Sequence, residues 1–262
     1  LFCVMSPPRA RLPPDPHATI ERSLKITQDG FMTVLGTEPA KRKRASSQRS
    51  LETRARILDT AERLFARDGF EGTSIRDIAT AAEVPVALVN FHGGAKEDLY
   101  FTIVARRADT LARHRLEALE AVKASGDPLS LRAVLDCFIR PYLDLAATGG
   151  EQWTAYARLI AQVSSDERWR PISERCFDPT AKLFMDELAA LHPEADPQCV
   201  AGAFVFSISA MLSLATSRWR IEALAGAPPQ SAPPLDSWAD FLIGFCESGF
   251  RAGLETNAPR NR

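Results

Sequence analysis

An all-α protein is predicted, with an N-terminal helix-turn-helix head and a larger helical body. Apolar residues recur at three- and four-residue steps from about residue 50 onward, the spacing of one helix face. The stretch Thr73 to Lys96, TSIRDIATAAEVPVALVNFHGGAK, sets two short helical patterns around a tight turn. Charge is also uneven: Lys41 to Lys96 holds eleven Lys/Arg against seven Asp/Glu, although the whole chain carries −1. That asymmetry suits a DNA-binding head on a neutral or acidic body. At 262 residues and 45% hydrophobic content, the chain is long enough to bury a sizeable core.

Residues 1–40 crowd Pro7, Pro8, Pro13, Pro14 and Pro16 into a stretch without helical period, which reads as a disordered tail. A second reading starts translation at Met32. The basic run Lys41 to Arg44 comes next, with Arg49, Arg54 and Arg56 behind it. Beside a helix-turn-helix, such an arm neutralises phosphates or enters the minor groove; otherwise it is a solvated run. Ser50 to Arg67 forms the first helix, buried through Ile57, Leu58, Ala61, Leu64 and Phe65, and Gly69 ends it.

Thr73 is the expected cap of the second helix, and Ile75, Ile78, Ala79 and Ala82 mark its apolar face. Thr73, Ser74 and Arg76 stand where free N–H groups and a positive charge meet a phosphate. Val84-Pro85 breaks the pattern, and Val86 to His92 supplies the helix placed to enter a major groove. Val86, Ala87 and Asn90 are expected to face bases, with Asn90 suited to adenine, while Leu88 and Val89 pack inward.

The segment ILDTAERLFARDGFEGTSIRDIATAAEVPVALVNFHGGAKEDLY, Ile57 to Tyr100, resembles the N-terminal domain of TetR-family transcriptional regulators. Its VNFH…KEDLY ending is similar to the branch reading VNYHFGSKE. The resemblance implies that Phe91 and His92 stand where the family has a Tyr-His pair on the DNA backbone. His92 reads equally well as local structure. It also implies that Lys96 opens the fourth helix and binds phosphate. Four departures stand out: Glu83 replaces the turn glycine, Pro85 and Ala95 replace capping residues, and Gly93 replaces an aromatic anchor. They are expected to leave the fold intact and to weaken DNA binding, with Gly93-Gly94 conformationally loose.

Beyond the head, Glu97 to Ala124 reads as one helix of roughly 40 Å, long enough to join head and body. Asp127-Pro128 is expected to open the next helix, and Pro141 to kink or split it. Glu151 to Val163 and Ile172 to Leu191 come after it, the latter interrupted near Asp178-Pro179. Small-molecule pockets are mostly apolar with a few polar groups, so Trp153, Tyr156, Phe177, Phe184, Phe204 and Met211 are the candidate lining. Only the family resemblance makes that an effector pocket. Asp196-Pro197 starts a helix reaching about Leu224 that is apolar nearly all round, and Asp236 caps a final one. Such helices need covering on every side, which points to a four-helix interface with a second copy through Ile208, Leu212, Trp238, Phe241, Leu242 and Phe245. Family members dimerise in this way.

The expected division is a tail over 1–45 with a basic end, a helix-turn-helix domain over 46–96, a helical effector-binding and dimerisation domain over 97–256, and a C-terminal tail over 257–262. The function implied is a homodimeric, cytoplasmic transcriptional regulator, most often a repressor. Its partners would be a palindromic double-stranded DNA operator and a small apolar or amphipathic effector. The alternative is a helical small-molecule-binding or interaction protein with a degenerate DNA-binding head. No nucleophile elbow, phosphate-binding glycine loop or metal-ligand spacing occurs, so no enzyme, cofactor or metal is expected. The five cysteines form no C-x-x-C pair. No apolar run is expected to reach the roughly 18 residues that span a bilayer.

Overall fold

In the computed structural model, helix α1 runs Ala40–Gly72, ten residues ahead of the expected start at Ser50. The structure describes residues 40–228, 231 and 233–256, with the side chains of these from Gln48 to Glu255. The proline-rich stretch and Met32 lie outside the described residues, as do the side chains of Lys41 to Arg44. The described residues from Ala45 onward form one compact unit, which holds α1 from Ala45 and all the later elements.

Gly69 interrupts α1 at φ 76, a conformation open to glycine at no steric cost. The turn lets Phe70 fold back against Phe65 and stack on it, with Tyr100 and Trp169 edge-on to its ring. Helix α2 is Ile75–Ala81 and α3 is Val86–Gly93. The cap of α2 is Ser74, not Thr73. The Ser74 hydroxyl accepts from the Asp77 N–H at 3.1 Å, and the Asp77 carboxylate accepts from the Ser74 N–H at 2.9 Å, a reciprocal box. Thr73 instead is buried and donates its hydroxyl to the Gly69 carbonyl.

Helix α4, Lys96–Ala124, is the long connecting helix. Ala95 offers no capping side chain, and Asp98 supplies the return half alone by accepting from the Ala95 N–H at 3.2 Å. Helix α5 covers Leu131–Thr148. Its cap is Ser130, whose hydroxyl accepts from the Ala133 N–H, so the helix starts later than Asp127-Pro128. Pro141 does not split α5, which continues as one element across it.

The rest of the body is α6 (Gly150–Ser165), a single 3₁₀ turn (Glu167–Trp169), α7 (Arg170–Cys176), α8 (Asp178–Leu191), α9 (Pro197–Ser217), α10 (Trp219–Leu224) and α11 (Ala239–Thr256). The expected helix to Leu224 is therefore two, α9 and α10. Asp236 opens a short 3₁₀ turn, Asp236–Trp238, rather than α11 itself. No strand occurs among the described residues.

Helix α4 packs on α5, α6 and α7, while α9 packs on α5, α6, α8 and α11. Helix α9 overturns the expectation about apolar length: its 21 residues include a window of mean hydropathy 1.9, enough in length and composition to cross a bilayer. Only 33% of that window is buried, so much of its apolar surface is left for something else to cover.

Candidate nucleic-acid interface and body cavity

Head geometry depends on which side of α3 is sealed. Val89 is fully buried and pins the helix to the core. Val86, Ala87, Asn90 and Phe91 are exposed on the other side, with Phe91 at 77%. Leu88, expected inside, is also exposed. His92 is half-buried, its ring edge-on to Phe91 at 5.0 Å. The structure thus brings the three residues expected to face bases, Val86, Ala87 and Asn90, onto one open face together with Phe91, expected on the DNA backbone.

At the start of α2, Ser74 and Arg76 are exposed and Thr73 is not. The Ser74 hydroxyl and N–H hydrogen bonds hold the Asp77 carboxyl below its usual range, so an anion already sits at that helix end. Arg49 is exposed on α1. Lys96, half-buried, places its Nζ 4.2 Å from the centre of the Phe70 ring, a cation–π contact fixing its stem beside the α1 turn. Glu83 takes the turn position with φ 53, where L side chains are strained. Gly93 is not loose: it is buried at the end of α3, and a Cβ there would lie 2.8 Å from Leu99 Cδ1. Its lack of a side chain lets α4 approach.

An ionic seam joins α1 to α4. Glu62, wholly buried, accepts from Arg107 Nε at 2.5 Å and from Arg106 Nη2 at 2.8 Å, and Asp59 shares Arg106 at 2.7 Å. Gln152 of α6, its amide turned to donate to Glu62 at 2.6 Å and accept from Arg63 at 2.8 Å, completes the cluster. Sequence reasoning missed this seam. The available signal was Glu62 lying within the apolar stripe of Leu58 and Phe65.

The predicted effector residues divide. Phe177 and Met211 line a cavity of about 210 Å³ between α4, α5, α6, α7, α8 and α9, together with Ile208, which was expected at a subunit interface. Phe184 and Phe204 pack edge-on against Phe138. Tyr156 is buried with its hydroxyl toward the Val104 carbonyl, and Trp153 lies edge-on to it. A residue not foreseen, Arg115, also lines the cavity.

Of the predicted interface residues, Phe241 and Phe245 are 66% and 65% exposed on α11, Trp238 is half-buried, and Leu212 and Leu242 are buried within the chain itself. Phe206 of α9, 73% exposed, joins the open apolar face. Among the described residues no group of His, Cys, Asp and Glu could hold a metal ion.

Residues 57–103 match the family profile described as "Bacterial regulatory proteins, tetR family". Residues 136–249 match "Tetracyclin repressor-like, C-terminal domain". Over 93 residues the chain is 39% identical to the HTH-type transcriptional regulator AcrR of Shigella flexneri. That match takes in 35% of this chain and 42% of the relative, less than half its length. Among solved structures, a TetR-family transcriptional regulator from Bordetella parapertussis is 16% identical with TM-score 0.55, covering 74% of this chain and 93% of that one. A putative TetR-family regulator from a Shewanella species is 15% identical with TM-score 0.54, covering 79% and 99%. The transcriptional regulator FadR from Bacillus subtilis, solved with stearoyl-CoA, is 16% identical with TM-score 0.52, covering 74% and 98%. At these identities the likeness is one of fold.

Proposed function

The chain belongs to the TetR family of transcriptional regulators, and from that premise we propose a homodimeric repressor released from a palindromic operator by a small-molecule effector. The observation that carries this reading is the open face of α3, where Val86, Ala87, Asn90 and Phe91 face solvent while Val89 anchors the helix. Asn90 pairs with adenine, the small apolar groups meet thymine methyls, and Arg49, Arg76, His92 and Lys96 position the head on phosphates, while Ser74 has both its donors committed to Asp77 and serves as a cap. Thr73 contributes packing rather than contact, since its hydroxyl is committed to Gly69.

Dimerisation is supported by the uncovered face of α9 and α11, where Phe206, Phe241 and Phe245 lie open. An apolar face of this kind marks an association surface, and two copies there would set two reading helices on successive half-sites. The effector would occupy the cavity against α4, so that its preference for one setting of that helix shifts the population away from operator spacing. We divide the chain accordingly, with the reading head over 46–96 and the effector and dimer body over 97–256. A regulator of this kind works in the cytoplasm and needs no catalysis or cofactor.

The test is binding of purified protein to the DNA flanking its own gene, across salt. Preference over random DNA and a steep loss of affinity with salt are expected. Lys96→Ala should weaken all DNA binding, and Asn90→Ala should mainly lower discrimination between sequences. Binding equal to that of random DNA would favour the reading in which the head is degenerate.

A further inference from the structure

Arg115 lies on α4 at a position that should be apolar. Leu111 and Leu119, one turn to either side, are both buried, and Arg115 itself is only 7% exposed. Its Nε donates to the Phe138 carbonyl at 2.8 Å, its guanidinium lies 3.6 Å from the centre of the Phe138 ring, and Nη2 rests 3.7 Å from Met211 Sδ. All of these partners are neutral. Among the described residues no carboxylate comes within 4.0 Å of it, whereas Arg106 and Arg107 on the same helix both reach Glu62.

A buried cation is normally matched by an anion, because taking it out of water unmatched is costly. The neighbouring phenols do not serve. Burial pushes the Tyr142 and Tyr156 hydroxyls well above their usual range, so both stay neutral. Burial lowers Arg115 to about 9, which still leaves it protonated at neutral pH. The side chain lines the body cavity, whose other walls include Leu111, Ile160, Phe177, Ile208 and Met211. Asp178, also in the lining, is half-buried at the head of α8 and forms no ion pair among the described residues.

We propose that Arg115 is the anchor of an anion site in the cavity wall, and that the ligand it takes is a compact apolar carboxylate. The guanidinium fork matches a carboxylate's two oxygens, and the apolar walls take the ligand's body. The volume of about 210 Å³ gives room for a medium-length chain or a single aromatic acid. The inference rests on the effector reading for its biological role and specifies the ligand class of that same cavity.

Calorimetry on the full chain with octanoate, octanol and octylammonium tests it. Octanoate should bind about tenfold or more tightly than octanol, the effect of a charge-assisted hydrogen bond, and octylammonium should not bind. Arg115→Met should abolish that preference, and circular dichroism checks its fold. If the variant does not fold, the octanoate-to-octanol ratio on the unaltered chain decides alone. Octanol binding as well as octanoate, or no octanoate binding at millimolar concentration, overturns the proposal. Release from operator DNA is read separately. Preferential octanoate binding with no release by either compound would sink the effector reading and leave the anion site standing, while octanol binding and releasing as well as octanoate would do the reverse.

Discussion

Helix α4 handles buried positive charge in two ways, about 12 Å apart along one axis. Toward the head, Arg106 and Arg107 close on Glu62, which is entirely enclosed. Deeper in the body, Arg115 is as enclosed as its apolar neighbours, yet it meets a carbonyl, a ring and a thioether. The first arrangement finds its counter-charges within the chain and fixes α1, and with it the reading head, against α4. The second is complete only when something else supplies the negative charge. A single helix therefore carries one ionic contact that holds the molecule together and one that is left open for recognition.

Breaking the closed contact should have the largest effect. Glu62→Ala strips both arginines of their main partner, and removing one member of a buried pair costs about 3 kcal/mol or more. Arg106 and Arg107 retain some exposure, which holds the expected loss near the lower end of that range. Urea unfolding measures it, and a loss below about 1 kcal/mol would mean that the seam contributes little more than a surface pair. Next comes Gly93→Ala, which crowds Leu99 where α3 meets α4 without any charge. Overpacking of this kind costs about 1 to 2 kcal/mol, and operator affinity should fall with it because α3 is displaced. Unchanged stability would show that Leu99 turns aside freely.

The same comparison predicts an opposite sign in the body. Replacing a buried ion by an apolar side chain of similar length is often neutral or stabilising, so Arg115→Met should gain up to about 1 kcal/mol in thermal or urea unfolding. It loses the Phe138 carbonyl bond in exchange for a removed desolvation penalty. A loss of about 3 kcal/mol, matching Glu62→Ala, would erase the distinction between the two arginine sites and show that Arg115 is structural.

How much of this was legible depends on the range of the interaction. The head could be read because its signals are local: the apolar steps of α2, the break at Pro85 and the glycine at Gly69 each act within a turn or two. Even there, adjacent hydroxyls at Thr73 and Ser74 are chemically equivalent in sequence, and only the extended backbone at Ser74 selects it as the cap. The open face of α3 was legible for the same reason, apart from Leu88, whose side depends on how the head packs. The cavity was not. Phe184 and Phe204 belong to the same apolar class as Phe177 and Met211, and which of them meets a void is decided by helices distant in sequence. Glu62 and Arg115 each stood in an apolar stripe, a mismatch of pattern that marks a buried charge and that periodicity alone treats as noise.

The smallest effect concerns a charge that is exposed and forms no ion pair among the described residues. Glu83 is exposed in the turn between α2 and α3 and holds φ 53, a conformation costing an L residue about 1 kcal/mol. Glycine removes that strain but brings more freedom to the unfolded chain, so Glu83→Gly should stabilise by only about 0.5 kcal/mol. It also takes a negative charge from the head, and DNA affinity should rise modestly, most visibly at low salt. Glu83→Gln separates the two causes. If charge is what matters to DNA, the glutamine variant should show the affinity gain without the stability gain. If neither variant binds DNA more tightly, Glu83 faces away from the duplex, and α3 does not dock in the orientation that its open face requires.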